Sequence, residues 1–224
     1  MEQHKKSRLN LRDVILGGQD GLVNVLGVTL GVAAASGDTR LVLVAGLAAT
    51  FAESFSMLAV AYTSSLAERD YYRALLKREY ESVKVRPREE EGEIRRIYQS
   101  LGFSGDLLEQ VVARIKENPQ AWVEEMMVHE LQLTPKAFKD VLRTSFVVGG
   151  SAIVGSLIPL APFVFLPISQ GIWVSLLVSA LTLFWTGIYK AKLTIGSLWR
   201  SGLEITVVGL LAALAGYLVG VAFK

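Results

Sequence analysis

Apolar and polar residues are segregated along this chain by whole segments rather than residue by residue. Five runs are nearly free of charge and long enough to cross about 30 Å of hydrocarbon. They cover residues 14–35, 41–66, 144–166, 171–189 and 203–223. Charged residues gather between Glu68 and Arg143. The pattern predicts an all-α membrane protein of five transmembrane helices, with a polar helical insertion between helices two and three. The second run is the one the rest is organised around. From Leu41 it passes into AERDYYRALLKREYESVKVR without a turn signal, so one helix is expected to continue from the bilayer into water. Pro87 should stop it, because proline disfavours helical geometry at the preceding Arg86.

The insertion reads as short helices separated by turn chemistry. One is expected over 88–100, with Gly102 as its C-terminal stop. Ser104 is placed to cap a second, over 105–117. Asn118-Pro119 joins a cap to a first-turn proline and opens a third, to about Leu131. Thr134-Pro135 repeats that signal ahead of the third span. Three segments follow: 1–67 holds the N-terminal tail and spans one and two, 68–134 a three-helix domain, and 135–224 spans three to five. Pro159 and Pro162 imply broken backbone late in span three, tolerable only where protein or water covers it.

Composition narrows the class. The chain has 224 residues, 51% of them hydrophobic, and a mean hydropathy of +0.40, too apolar for an ordinary soluble domain. The net charge of +2 gives no reason to expect nucleic acid as a partner; the bilayer is the expected one. With no Cys, thiolate metal sites and disulfides are excluded. Lys5, Lys6, Arg8 and Arg12, the insertion rich in Lys and Arg, and Lys190, Lys192 and Arg200 all fall on one side of a five-span topology. The excess of Lys and Arg places the N-terminus and the insertion in the cytosol and the C-terminus outside. The first apolar run lacks a small-residue cleavage site and reads as a retained span. Short termini point to a prokaryotic plasma membrane.

The candidate chemistry lies where carboxylates meet apolar surroundings. Asp20 and Asn24 share a face of span one, and Glu53 and Met57 a face of span two, each pair one turn apart. A charge within a span costs at least about 2.5–3.5 kcal/mol, so it usually lines a pathway or is paired. No Lys or Arg lies at comparable depth. Thr50 and Ser64 extend the Glu53/Met57 stripe. Oxygen donors with a thioether suit a softer first-row ion such as Fe²⁺ better than Mg²⁺ or Ca²⁺. In the insertion, Glu90 and Glu93 share a helix face, as do Met126, Met127 and Glu130, and Glu79 lies on the extended helix. Glu-rich runs are most often solvated faces, and His129 reads as a surface or packing residue. Without a pair of Glu-x-x-His motifs, a di-iron oxidase centre is poorly supported, and no enzymatic activity is expected.

The chain resembles the vacuolar iron transporter family. The likeness is carried by Asp20-Gly21-Leu22-Val23-Asn24 with Leu26-Gly27, Ala45-Gly46-Leu47-Ala48 with Ser56-Met57, Glu89 to Ile97-Tyr98 with Gly102, Met126-Met127-Val128-His129-Glu130-Leu131, and Ser156-Leu157-Ile158-Pro159-Leu160. The resemblance implies a homodimer of five-span subunits that exchanges cytosolic Fe²⁺ for protons. Mn²⁺ is a further expected cargo, and no cofactor is tightly bound. It implies a membrane ion site at Asp20 and Met57. It also implies a cytosolic site at Glu79, Glu90, Glu93, Met126, Met127 and Glu130, open to Mn²⁺ or Zn²⁺ as well. Two positions depart from the pattern. A family glutamate falls at Ser82, and the family's Gly-Glu-Tyr after the span-two Met reads Val60-Ala61-Tyr62 here. Glu53, two turns earlier on the same side, is the candidate replacement. The rival expectations are a membrane-anchored iron-sensing or ferroxidase-like protein, and a family member moving another divalent cation.

Overall fold

A computed structural model describes the backbone of residues 2–130, 137–194 and 196–224, and the side chains of residues 11–129, 137–194 and 196–224. The described residues form helices α1 (Glu2–Ser36), α2 (Thr39–Val85), α3 (Pro87–Ser100), α4 (Gly105–Lys116), α5 (Pro119–Glu125), α6 (Phe138–Leu160), α7 (Pro162–Phe165), α8 (Ile168–Leu193) and α9 (Leu198–Ala222), with a π-helical turn over Met126–Glu130 and no strand. Five of them, α1, α2, α6, α8 and α9, are long and apolar enough to cross a membrane. The chain divides into two compact units, Met1–Tyr62 with Leu142–Lys224, and Thr63–Val141.

In the first unit, helices meet through small residues. A Cβ on Gly31 would lie 2.8 Å from the Gly216 carbonyl oxygen, and one on Gly216 would lie 2.8 Å from the backbone of Gly27. Gly17 and Gly21 of α1 likewise abut the backbone of α6 at Val148 and Ala152. Both small-xxx-small pairs of span one are therefore occupied within the chain, one by α6 and the other by α9. Small-xxx-small spacing marks a face for close packing but does not name its partner, and here the glycines meet helices of their own chain. The outside of this unit is apolar. Phe55, Trp173 and Trp185 are 70%, 74% and 64% exposed, the inverse of a soluble surface and a fit to lipid.

The expected break in span three falls between α6 and α7. Pro162 has no N–H to continue the helix, and the Pro159 carbonyl, in the last turn of α6, accepts a 2.7 Å hydrogen bond from the buried Ser175 hydroxyl of α8. Phe163 packs with Ala33 and Val42 below the break.

The α2 helix runs unbroken for 47 residues, about 70 Å at 1.5 Å per residue. That is more than twice the hydrocarbon thickness, so only its apolar N-terminal part can lie in lipid. Its C-terminal part belongs to the second unit, where α3, α4, α5 and the π turn surround a core of Val83, Ile94, Leu108, Val112, Trp122, Val123, Met126 and Met127. Asn118 caps α5 as expected, accepting from the Gln120 and Ala121 amides at 3.1 and 3.3 Å. Ser104 occupies the cap position of α4 with extended backbone but makes no side-chain cap bond. The third insertion helix changes pitch at Met126, where the sequence predicts continuous α-helix. The Thr134-Pro135 signal lies outside the described residues.

Candidate functional site

In the first unit α1 presents Asp20 and Asn24, and α2 presents Glu53 and Met57. The structure joins three of them. The Glu53 side chain is hydrogen-bonded with both Asp20 and Asn24. The sequence offers Asp20 no Lys or Arg at comparable depth; the crossing of α1 and α2 gives it Glu53 as a partner instead. Met57 stands half-buried one turn beyond Glu53. The cluster is open on one side, since Asn24 is exposed while Asp20 and Glu53 are half-buried. Thr50 does not join it: its hydroxyl donates to the Gly46 carbonyl at 2.8 Å and is spent on its own helix.

Three hydroxyls in this unit were given no role by the sequence reading. Ser54, Ser156 and Ser179 are buried, with no hydrogen-bond partner among the described residues. Ser156 stands against Gly21, its oxygen 2.7 Å from where a Cβ there would be. A serine within an apolar run is the only signal that could have found them, and it does not separate them from Ser175, which braces the helix break.

In the second unit, Glu79, Glu90 and Glu93 act on one another. Glu90 is only 6% exposed, and its Oε2 has no partner among the described residues. Burial pushes the Glu90 carboxyl above the usual range, and the charges of Glu93 and Glu79 push it further. Glu79, well beyond the apolar part of α2, is raised by burial and then by Glu93, against the opposing pull of Arg78 and Arg86. Neighbouring Glu91 is the contrast. It holds ion pairs to Lys116 and Arg95, and the Lys116 hydrogen bond lowers its carboxyl. Arg86 also reaches the Ser82 hydroxyl at 3.4 Å, at the position where the resemblance leads one to expect a glutamate.

Met126 and Met127 are both fully buried in the apolar core, so packing accounts for them in this conformation. Glu130 has its side chain outside the described residues. His129 pairs with Glu125 at 3.2 Å, one turn away. Among the described residues no three His, Cys, Asp or Glu side chains are gathered closely enough to hold a metal ion. The acidic cluster can receive a cation only by drawing its carboxylates closer around it.

A carboxyl whose pKa rises on folding binds its proton more tightly in the folded state. Its stabilising contribution is full below the ordinary Glu value and is lost as pH rises through the raised one. Glu90→Gln, which removes the buried charge, is thus expected to raise the melting temperature at pH 7 by about 2–4 °C, on the order of 1 kcal/mol. The gain should vanish near pH 4. Thermal melts of the full-length protein at both pH values test this; equal shifts at the two would remove the charge as its cause.

The sequence profile of the VIT family matches residues 11–221. Vacuolar iron transporter 1 of rice, Oryza sativa subsp. japonica, is 33% identical over 217 residues, covering 96% of this chain and 86% of the relative. Vacuolar iron transporter 1 of Arabidopsis thaliana is 30% identical over 96% of this chain and 87% of its own length. The vacuolar iron transporter of Plasmodium falciparum is 28% identical, covering 100% of this chain and 85% of the relative.

Proposed function

The chain belongs to the VIT family, and from that premise we propose that it carries Fe²⁺ out of the cytosol across a membrane in exchange for protons, with Mn²⁺ as a second cargo. The observation that carries this reading is the contact of Glu53 with Asp20 and Asn24 inside helices built for lipid. A hydrogen bond between two carboxyl groups needs a proton on one of them. A divalent cation entering from the open side would displace that proton and take the carboxylates, the Asn24 amide oxygen and the Met57 sulfur as ligands. Release on the far side would return the proton, which makes the exchange obligatory. The names of the relatives, iron transporters all, support iron as the cargo.

The second unit supports a receiving role. We place it in the cytosol, as the Lys and Arg distribution requires, with Glu79, Glu90 and Glu93 collecting ions. Met126 and Met127, buried in the core, become ligands only if the π turn that carries them rearranges, and Glu130 is the further ligand proposed with them. The open side of the Asp20/Glu53 cluster supports a homodimer. A small-residue stripe left uncovered runs along α2 at Ala48, Ala52 and Ser56, next to Glu53 and Met57. A second subunit there would close the site, and the mass of the solubilised protein, twice the 24.4 kDa of one chain, is the check.

Proteoliposome flux tests the whole reading. Fe²⁺ flux is expected to be driven by an opposing pH gradient and to collapse when the gradient is dissipated, with Mn²⁺ following the same pattern and Ca²⁺ not carried. Fe²⁺ flux indifferent to the gradient would end the exchange mechanism, and Ca²⁺ flux equal to that of Fe²⁺ would end the assignment of cargo.

A further inference from the structure

An apolar groove of about 900 Å³ runs along the outside of the first unit, walled by α1, α6 and α8. Its lining extends from Leu11 to Leu22 on α1, from Phe146 to Ile158 on α6, and from Tyr189 back to Val178 on α8. Each stretch is about 17 Å long at 1.5 Å per residue, close to the ~15 Å hydrocarbon depth of one leaflet. Two of the hydroxyls on its wall are already spent: Thr182 and Thr186 donate to carbonyls of their own helix at 2.8 Å. What remains is a one-leaflet slot with little in it for a polar ligand.

The end of the groove nearest the N-terminus is different. Each wall carries an exposed cation there: Arg12 beside Leu11, Arg143 one turn before Phe146, and Lys192 one turn after Tyr189. No ion pair among the described residues involves any of the three. The nearest carboxylate on α1, Asp13, is buried. Trp185 and Tyr189, both exposed on the wall at this end, are the residue types that sit at the headgroup level of a bilayer.

We propose that this groove binds an anionic phospholipid of the leaflet on the N-terminal side, its acyl chains in the slot and its phosphate on Arg12, Arg143 and Lys192. The charge pattern favours lipid over a second copy of the chain. A two-fold interface would apply the patch to itself and bring three cations toward three cations. The inference rests on reading the five helices as membrane spans and is independent of which ion is carried.

Native mass spectrometry of the full-length protein, taken from micelles with equal phosphatidylglycerol and phosphatidylcholine, tests it. The wild type is expected to retain phosphatidylglycerol preferentially. The triple variant Arg12→Gln, Arg143→Gln, Lys192→Gln should lose that preference by about tenfold or more, each basic group near an anionic lipid surface contributing roughly fivefold. Gly150→Phe fills the groove, because a Cβ at this lining position meets nothing within 4 Å; it should lower retention of both lipids and leave the oligomer mass unchanged. An unchanged preference in the triple variant overturns the proposal. So does a Gly150→Phe protein that keeps its lipid but loses half its mass, since a second copy would then cover the groove. If Gly150→Phe does not fold, the triple variant, which alters only exposed side chains, decides alone.

Discussion

Asp20→Ala is expected to reduce Fe²⁺ flux in proteoliposomes by about 100-fold or more, an effect of roughly 2.7 kcal/mol on the transport barrier. The expectation comes from the contact with Glu53. Removing Asp20 takes away a ligand and also the partner between which the exchanged proton is held. Glu53→Gln should act almost as strongly, since an amide can neither release a proton nor offer a charge. Together the two changes should cost little more than either alone, because groups that act as one unit are not additive. The replaced carboxylate gives a sharper arm. If Glu53 stands in for the glutamate that the family pattern places at Ala61, then Ala61→Glu added to Glu53→Gln should restore part of the flux. Ala61 is only 8% exposed, so the new carboxylate would enter a covered position of α2 with Met57 between the two sites. Normal transport by Glu53→Gln would show that Asp20 works without it.

The second large effect is on the fold. Gly216→Leu should lower stability by about 3 kcal/mol or more, as overpacking of a closed contact does, which for a chain of this size is a fall of about 6–12 °C in melting temperature. Its Cβ would stand 2.8 Å from the carbonyl carbon and Cα of Gly27, and nearer still to the oxygen. These are backbone atoms, so no rotamer change relieves the collision, and α1 and α9 would have to separate. Gly150→Ala is the control: it meets open space and replaces a helical glycine, so a neutral result or a gain of up to about 1 kcal/mol is expected. Equal melting temperatures for Gly216→Leu and wild type would mean that the two helices do not touch there.

These effects also mark where sequence reading reaches its limit. Signals that act within a few residues of themselves could be read directly. Five long apolar runs appear as five helices suited to a membrane. The absence of proline from Thr39 to Val85 yields one 47-residue helix; Pro87 ends it, and Asn118 caps α5. Asp20 and Glu53 stood out because a carboxylate in an apolar run is costly wherever the run packs.

Pairings between distant segments could not be read. The spacing of Gly17, Gly21, Gly27 and Gly31 showed that something approaches span one closely. That one half meets α6 and the other α9 depends on contacts between residues more than 100 positions apart. Asp20 looked unpartnered because its partner lies on the next helix, brought to it by the crossing of α1 and α2. The resemblance to the family implies Met126 and Met127 as ligands beside the acidic residues. Tertiary packing turned both into the core of the second unit and left Glu90, not the exposed Glu89, as the buried carboxylate. Local patterns decide which helices form and which residues are costly to bury. Helix packing decides whom those residues meet, because a helix face has no chemistry that names its neighbour until the chain has folded.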